Sequence, residues 1–206
     1  MASGSDRGAT PDRFDSVEAD AYKRWRDAKL ARYPRTIDEV LVELRDPLAL
    51  TASERAAILD RCARANMALY VARLPDDEEV HRNVALGLPR QLGLRAVEDH
   101  RSRDGDGMVR IELAQSGGRV GYIPYTDRPI AWHTDGYYNF HGPDRAVVAM
   151  TLHCARAADG GENGLLDHEI AYLRLRDENP AHVEALSRGD AMTIPANVEA
   201  DGRTRP

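Results

Sequence analysis

The chain has 206 residues, 42% of them hydrophobic and 30% charged, with a formal net charge of -6. That length and balance suit one sizeable core and argue against a disordered chain. They exclude the dense basic patch that nucleic acid or an anionic membrane would need, and no run approaches the roughly 18 apolar residues of a membrane span.

The first ten residues are small and polar and lack the apolar run of a signal peptide, so residues 1–12 read as a flexible tail ahead of a single domain over 13–206. Cys62 and Cys154 each sit in an apolar stretch and read as buried reduced thiols, which fits a cytoplasmic setting. Phe14, Val17, Ala21, Trp25 and Ala28 recur at helical spacing until Tyr33-Pro34 ends the pattern. Thr36 and Glu39 form a capping-box pattern that predicts a second helix, with Ile37, Val40, Leu41 and Leu44 on one face. Thr51 with Glu54 repeats the device for a helix carrying Ile58, Leu59 and Cys62. A short strand follows over 67–71. A helix with an acidic first turn at 76–79 then runs until Gly87 and Pro89 close it.

From Arg95 onward glycine-rich breaks separate short runs of strand composition. These are 108–113 and 120–125 around Ser116-Gly117-Gly118, and then 146–153. Helices are expected again over 169–175 and 181–186, with a strand beginning at 191–194 and a polar end containing Arg203 and Arg205.

The chemistry concentrates in Trp132-His133-Thr134-Asp135-Gly136. If that segment is extended, alternation puts His133 and Asp135 on one face, where an imidazole and a carboxylate converge. Joined by a second histidine, such a pair makes the facial triad that holds non-heme iron(II) and leaves positions open. Spacing alone is weak evidence: with 7 histidines and 34 acidic residues, about one such match arises by chance. His182 and Glu184 are a second match, but two residues apart on a helix they face different ways.

The surrounding text is more specific. Pro129 through Asn139, then the strand at 146–153, then Gly160-Gly161-Glu162-Asn163-Gly164-Leu165-Leu166-Asp167, resembles the taurine dioxygenase-like (TauD/TfdA) family of iron(II)/2-oxoglutarate-dependent oxygenases. The match is close over about 122–195 and looser over the N-terminal helices. The resemblance implies an α+β fold, a partial double-stranded β-helix of the jelly-roll, cupin-like kind with N-terminal and inserted helices. It also implies iron(II) held by His133 and Asp135, 2-oxoglutarate as cosubstrate, and hydroxylation of a small organic acid. Asn163 stands where many relatives place a threonine that hydrogen-bonds 2-oxoglutarate, and an asparagine amide can donate in its place. Equally, Asn163 can serve as a plain turn residue. Tyr137, Tyr138 and Asn139 are candidate substrate-pocket residues.

The family's distal histidine and the arginine that grips 2-oxoglutarate lie further downstream in relatives, and no histidine follows His182 here. The expectation is therefore a domain truncated at its C-terminus, completed by a second chain or an oligomer; the alternative is a non-catalytic binding module of the same descent. Among the remaining histidines, His141 lies close after the motif in a Gly-Pro loop, His153 reads as a core histidine bonded to backbone, and His168 reads as a helix-start residue.

Overall fold

In the computed structural model, the described residues are 19–97, 107–117, 119–136 and 147–192, together with two short strands near the C-terminus. The architecture is mixed helix and strand, in the order α1 (Ala19–Arg32), a 3-10 turn (Ile37–Glu39), β1 (Leu41–Leu44), α2 (Ala52–Ala65), β2 (Leu69–Ala72) and α3 (Glu78–Gln91). A second 3-10 turn (Ile123–Tyr125), α4 (His168–Glu178), α5 (Pro180–Leu186), β3 (Asn197–Val198) and β4 (Thr204–Arg205) follow. β1 pairs in parallel with β2, and β3 pairs antiparallel with β4. The chain divides into two compact units: Met1–Leu41, Asp60–Leu69 and Leu165–Pro206 in one, Val42–Leu59 and Tyr70–Gly164 in the other. No helix among the described residues is long and apolar enough to cross a membrane.

Local signals explain most helix boundaries. The Thr51–Glu54 capping box forms as read: the Glu54 amide donates to Thr51 Oγ1 at 3.2 Å, and the Thr51 amide donates to Glu54 Oε2 at 2.7 Å. Asp77 caps α3 by accepting from the amides of Glu79 and Val80. α3 does not stop at Gly87 and Pro89 as expected but runs on to Gln91. Pro89 costs it one intrahelical bond, and the true stop is Gly93, at φ +97°, where the Leu94 amide reaches Pro89 O at 3.0 Å and the Gly93 amide reaches Arg90 O at 3.1 Å. Asp167 and Asn179 cap α4 and α5, and His168 opens α4 as read.

The helix expected after Thr36 is absent. Thr36 makes no side-chain cap bond, the turn lasts three residues, and the apolar run becomes β1, because pairing with β2 satisfies its backbone where a helix would have had to end at Pro47. The strands expected at 108–113 and 120–125 do not form: the first is irregular and the second is a turn that runs into the 3-10 turn at Ile123–Tyr125, with the Ala114 amide donating to Tyr125 O at 2.9 Å. No regular strand forms among the described residues of 146–153. Arg205 pairs with Asn197 across β3 and β4 instead of lying in an unstructured end.

In the second unit the buried apolar residues are Val42 and Leu44 of β1, Ile58 of α2, Val84 and Leu88 of α3, and Tyr125. Gln91 ties the end of α3 to the loop after β1, accepting from the Leu50 amide at 2.7 Å and donating to Pro47 O at 2.9 Å. In the first unit the interior mixes Val40, Ala65 and Leu173 with buried Lys29, Asp167, Glu169 and Arg176.

Candidate metal site

His133 and Asp135 lie in the second unit on a segment without regular structure. Their side chains converge: His133 Nε2 is 3.8 Å from Asp135 Oδ1, and both are about 40% exposed, 39% and 40% respectively. The other ring nitrogen, Nδ1, lies 2.8 Å from Ala131 O. A carbonyl oxygen only accepts, so Nδ1 donates to it and Nε2 is the ring nitrogen turned towards Asp135. Nε2 is thus the atom a metal would take, with the ring held by a partner on its far side. With metal–ligand distances of about 2.0–2.2 Å, one ion can touch both atoms, but at a wider angle than the right angle of a facial triad, so the two side chains must draw closer together to fill two of its positions. Among the described residues no group of three histidine, cysteine or carboxylate side chains gathers around one point.

Two glycines bracket the pair. Gly136, at φ +83°, lies directly against Val147, and Gly164 lies under the indole of Trp132. Neither position accommodates a Cβ without displacing its neighbour. Gly160 and Gly161, also at positive φ, have nothing within 4 Å of where a Cβ would be, so that turn is open. Asn163 sits in it, exposed. Tyr137, Tyr138 and Asn139 lie outside the described residues, as does His141.

His153 is committed elsewhere, and not to backbone. Its Nδ1 is 2.6 Å from Tyr70 Oη and its Nε2 is 2.9 Å from Nδ1 of His81. Burial lowers the His153 pKa and the charge of His81 lowers it further. Burial raises the Tyr70 phenol to about 12, so it keeps its proton at neutral pH. Sequence reasoning missed this cluster because Tyr70 and His153 stand 83 residues apart with no shared motif. It also placed Cys154 in the interior, whereas its thiol is exposed, next to Arg156 O at 3.3 Å; Cys62 is half-buried and both are free.

The first unit holds a second polar cluster and a pocket of about 280 Å³ lined by Trp25, Ala28, Lys29, Arg32, Ala63, Arg64, Asn66 and Glu169. Lys29 pairs there with Asp167 and Glu169, and Asn66 donates to Asp167 Oδ1 at 2.8 Å.

Matched against protein families, residues 28–204 fit the model described as taurine catabolism dioxygenase TauD, TfdA family. Comparison with curated proteins and with solved structures gives no match.

Proposed function

Because the chain belongs to the taurine catabolism dioxygenase TauD, TfdA family, we propose that it uses His133 and Asp135 to hold iron(II) for a 2-oxoglutarate-dependent hydroxylation of a small organic acid. Membership implies the iron(II)/2-oxoglutarate dioxygenase superfamily and a cupin-like fold. The observation that carries the assignment to these two residues is the bond from His133 Nδ1–H to Ala131 O, which leaves Nε2 facing Asp135.

Held there by His133 and Asp135, iron would supply the oxidising chemistry together with 2-oxoglutarate as cosubstrate. The chain's own work is positional. Ala131 O fixes the His133 ring, Asp135 contributes the negative charge that offsets part of the metal's, and the Asn163 amide can donate to a 2-oxoglutarate carboxylate. Two unpaired thiols agree with a cytoplasmic setting.

Anaerobic titration with iron(II), followed by 2-oxoglutarate, tests the reading. The wild-type chain is expected to bind iron and then to show the weak visible charge-transfer band of the chelate, while His133→Ala and Asp135→Ala bind iron more than about tenfold more weakly. Both side chains are well exposed, so circular dichroism should report an unchanged fold. Equal iron binding by wild type and His133→Ala would refute the site. Iron binding without any 2-oxoglutarate band would favour a binding module of the same descent.

A further inference from the structure

Nothing lies within 4 Å of where a Cβ would stand on Gly160 or Gly161, yet Asn163 has to be held near the proposed iron pair if it is to meet 2-oxoglutarate. One contact links the two segments. Trp132 directly precedes His133, Gly164 directly follows Asn163, and the indole of Trp132 lies on Gly164 so closely that a Cβ there would come 2.7 Å from Cη2, 3.3 Å from Cζ2 and 3.4 Å from Cζ3. On the other side of the pair, Gly136 against Val147 leaves the segment little room to slide. Trp132 is nonetheless 72% exposed, so its indole buries little against anything else.

From this contact we infer that Trp132 and Gly164 form a clamp that positions the Asn163 turn against the segment bearing His133 and Asp135, and so sets the affinity for 2-oxoglutarate. The inference rests on the function proposed above. Glycine at 164 preserves this contact, because the indole occupies the space a side chain would take. The atom a Cβ would meet first is the far tip of an exposed indole, which can swing into solvent. A larger residue at 164 should therefore release the clamp without unfolding the protein. Trp132 and Gly164 are positioning residues in this account; neither touches the metal.

Trp25 and Trp132 are the only tryptophans, so a Trp25→Phe parent makes the emission report Trp132 alone. In that parent, adding Gly164→Ala is expected to shift the emission and lower the anisotropy of Trp132 before any ligand is present. Iron(II) affinity should stay within about twofold, while 2-oxoglutarate affinity, measured anaerobically on the iron-loaded chain, should fall about tenfold, as expected when a binding group loses its alignment. Trp132→Leu should weaken 2-oxoglutarate binding to the same extent, and the two substitutions together should cost no more than either alone, because they remove one contact. Equal 2-oxoglutarate affinity in parent and Gly164→Ala, or losses that add, would overturn the clamp and leave the iron site standing. A parent that binds iron but no 2-oxoglutarate would overturn the clamp together with the role proposed for Asn163.

Discussion

Lys29 keeps two carboxylates company in the interior of the first unit: its Nζ lies 2.7 Å from Asp167 Oδ2 and 2.6 Å from Glu169 Oε2, and the three side chains are 5%, 0% and 10% exposed. Burial by itself would lower the Lys29 pKa, but the hydrogen bonds and charges of Asp167 and Glu169 outweigh it and the net shift is upward. A cation whose folded pKa is raised stabilises the fold fully below its unfolded value of 10.5 and loses that contribution only as pH climbs through the folded value. Asp167 is satisfied further by the Asn66 amide and the Glu169 backbone amide at 2.9 Å. Lys29→Met removes the cation and leaves both acids buried, which should cost about 3–5 kcal/mol. Urea unfolding of the variant measures this; a loss below about 1 kcal/mol would show that the acids escape to water or protonate. None of the three was legible as an interior residue. Glu169, Leu173 and Arg176 share one buried face of α4, and an apolar periodicity cannot reveal a face that is two-thirds polar.

At the scale of elements, His153 joins the irregular segment after residue 146 to β2 through Tyr70 and to α3 through His81. The Tyr70 and His153 rings are also nearly parallel, 6.0 Å between centroids. Other charges near this end of α3 are Glu78, which pairs with Arg110, and Arg82 and Arg156 close to Glu78. One proton between the two imidazoles makes a hydrogen bond; two put N–H against N–H. Because burial and His81 depress the folded His153 pKa below 6.5, the unfolded chain takes up the proton first. The cluster's contribution is therefore present above pH 6.5 and falls away as pH drops below it. Unfolding midpoints measured between pH 8 and 5 should decline more steeply for wild type than for His153→Phe. Parallel curves would count against the cluster as the cause. Helices whose caps lie within three or four residues, such as Thr51 with Glu54, were readable in advance. β1 was not, since its Leu41–Leu44 run fits a helix face equally well until a partner strand is known.

For the whole chain, the family match over 28–204 takes in parts of both compact units, while the proposed iron pair belongs to one of them. Iron(II) that binds the native chain and not the unfolded one must stabilise it by linkage. At a free concentration of one hundred times Kd the gain is about 2.7 kcal/mol. Thermal unfolding should thus shift upward on adding iron(II) to wild type, return on chelation, and stay put in Asp135→Ala. A shift of equal size in Asp135→Ala would locate the metal elsewhere. With a net charge of -6, weak binding of divalent cations at the surface is the background against which that variant is the control.

By itself the sequence determined the family, through His133-x-Asp135 and the Gly160-Gly161 element. It also determined most helix starts, since each of these is written in neighbours a few residues apart. Only the tertiary structure decided that His153 is held between Tyr70 and His81, that Lys29 is buried with two acids, and that Trp132 lies on Gly164. Those outcomes depend on partners far off in the chain, 101 residues for Asn66 and Asp167 and 83 for Tyr70 and His153. A polar side chain's burial is settled by whether such a partner arrives, and no local pattern records that.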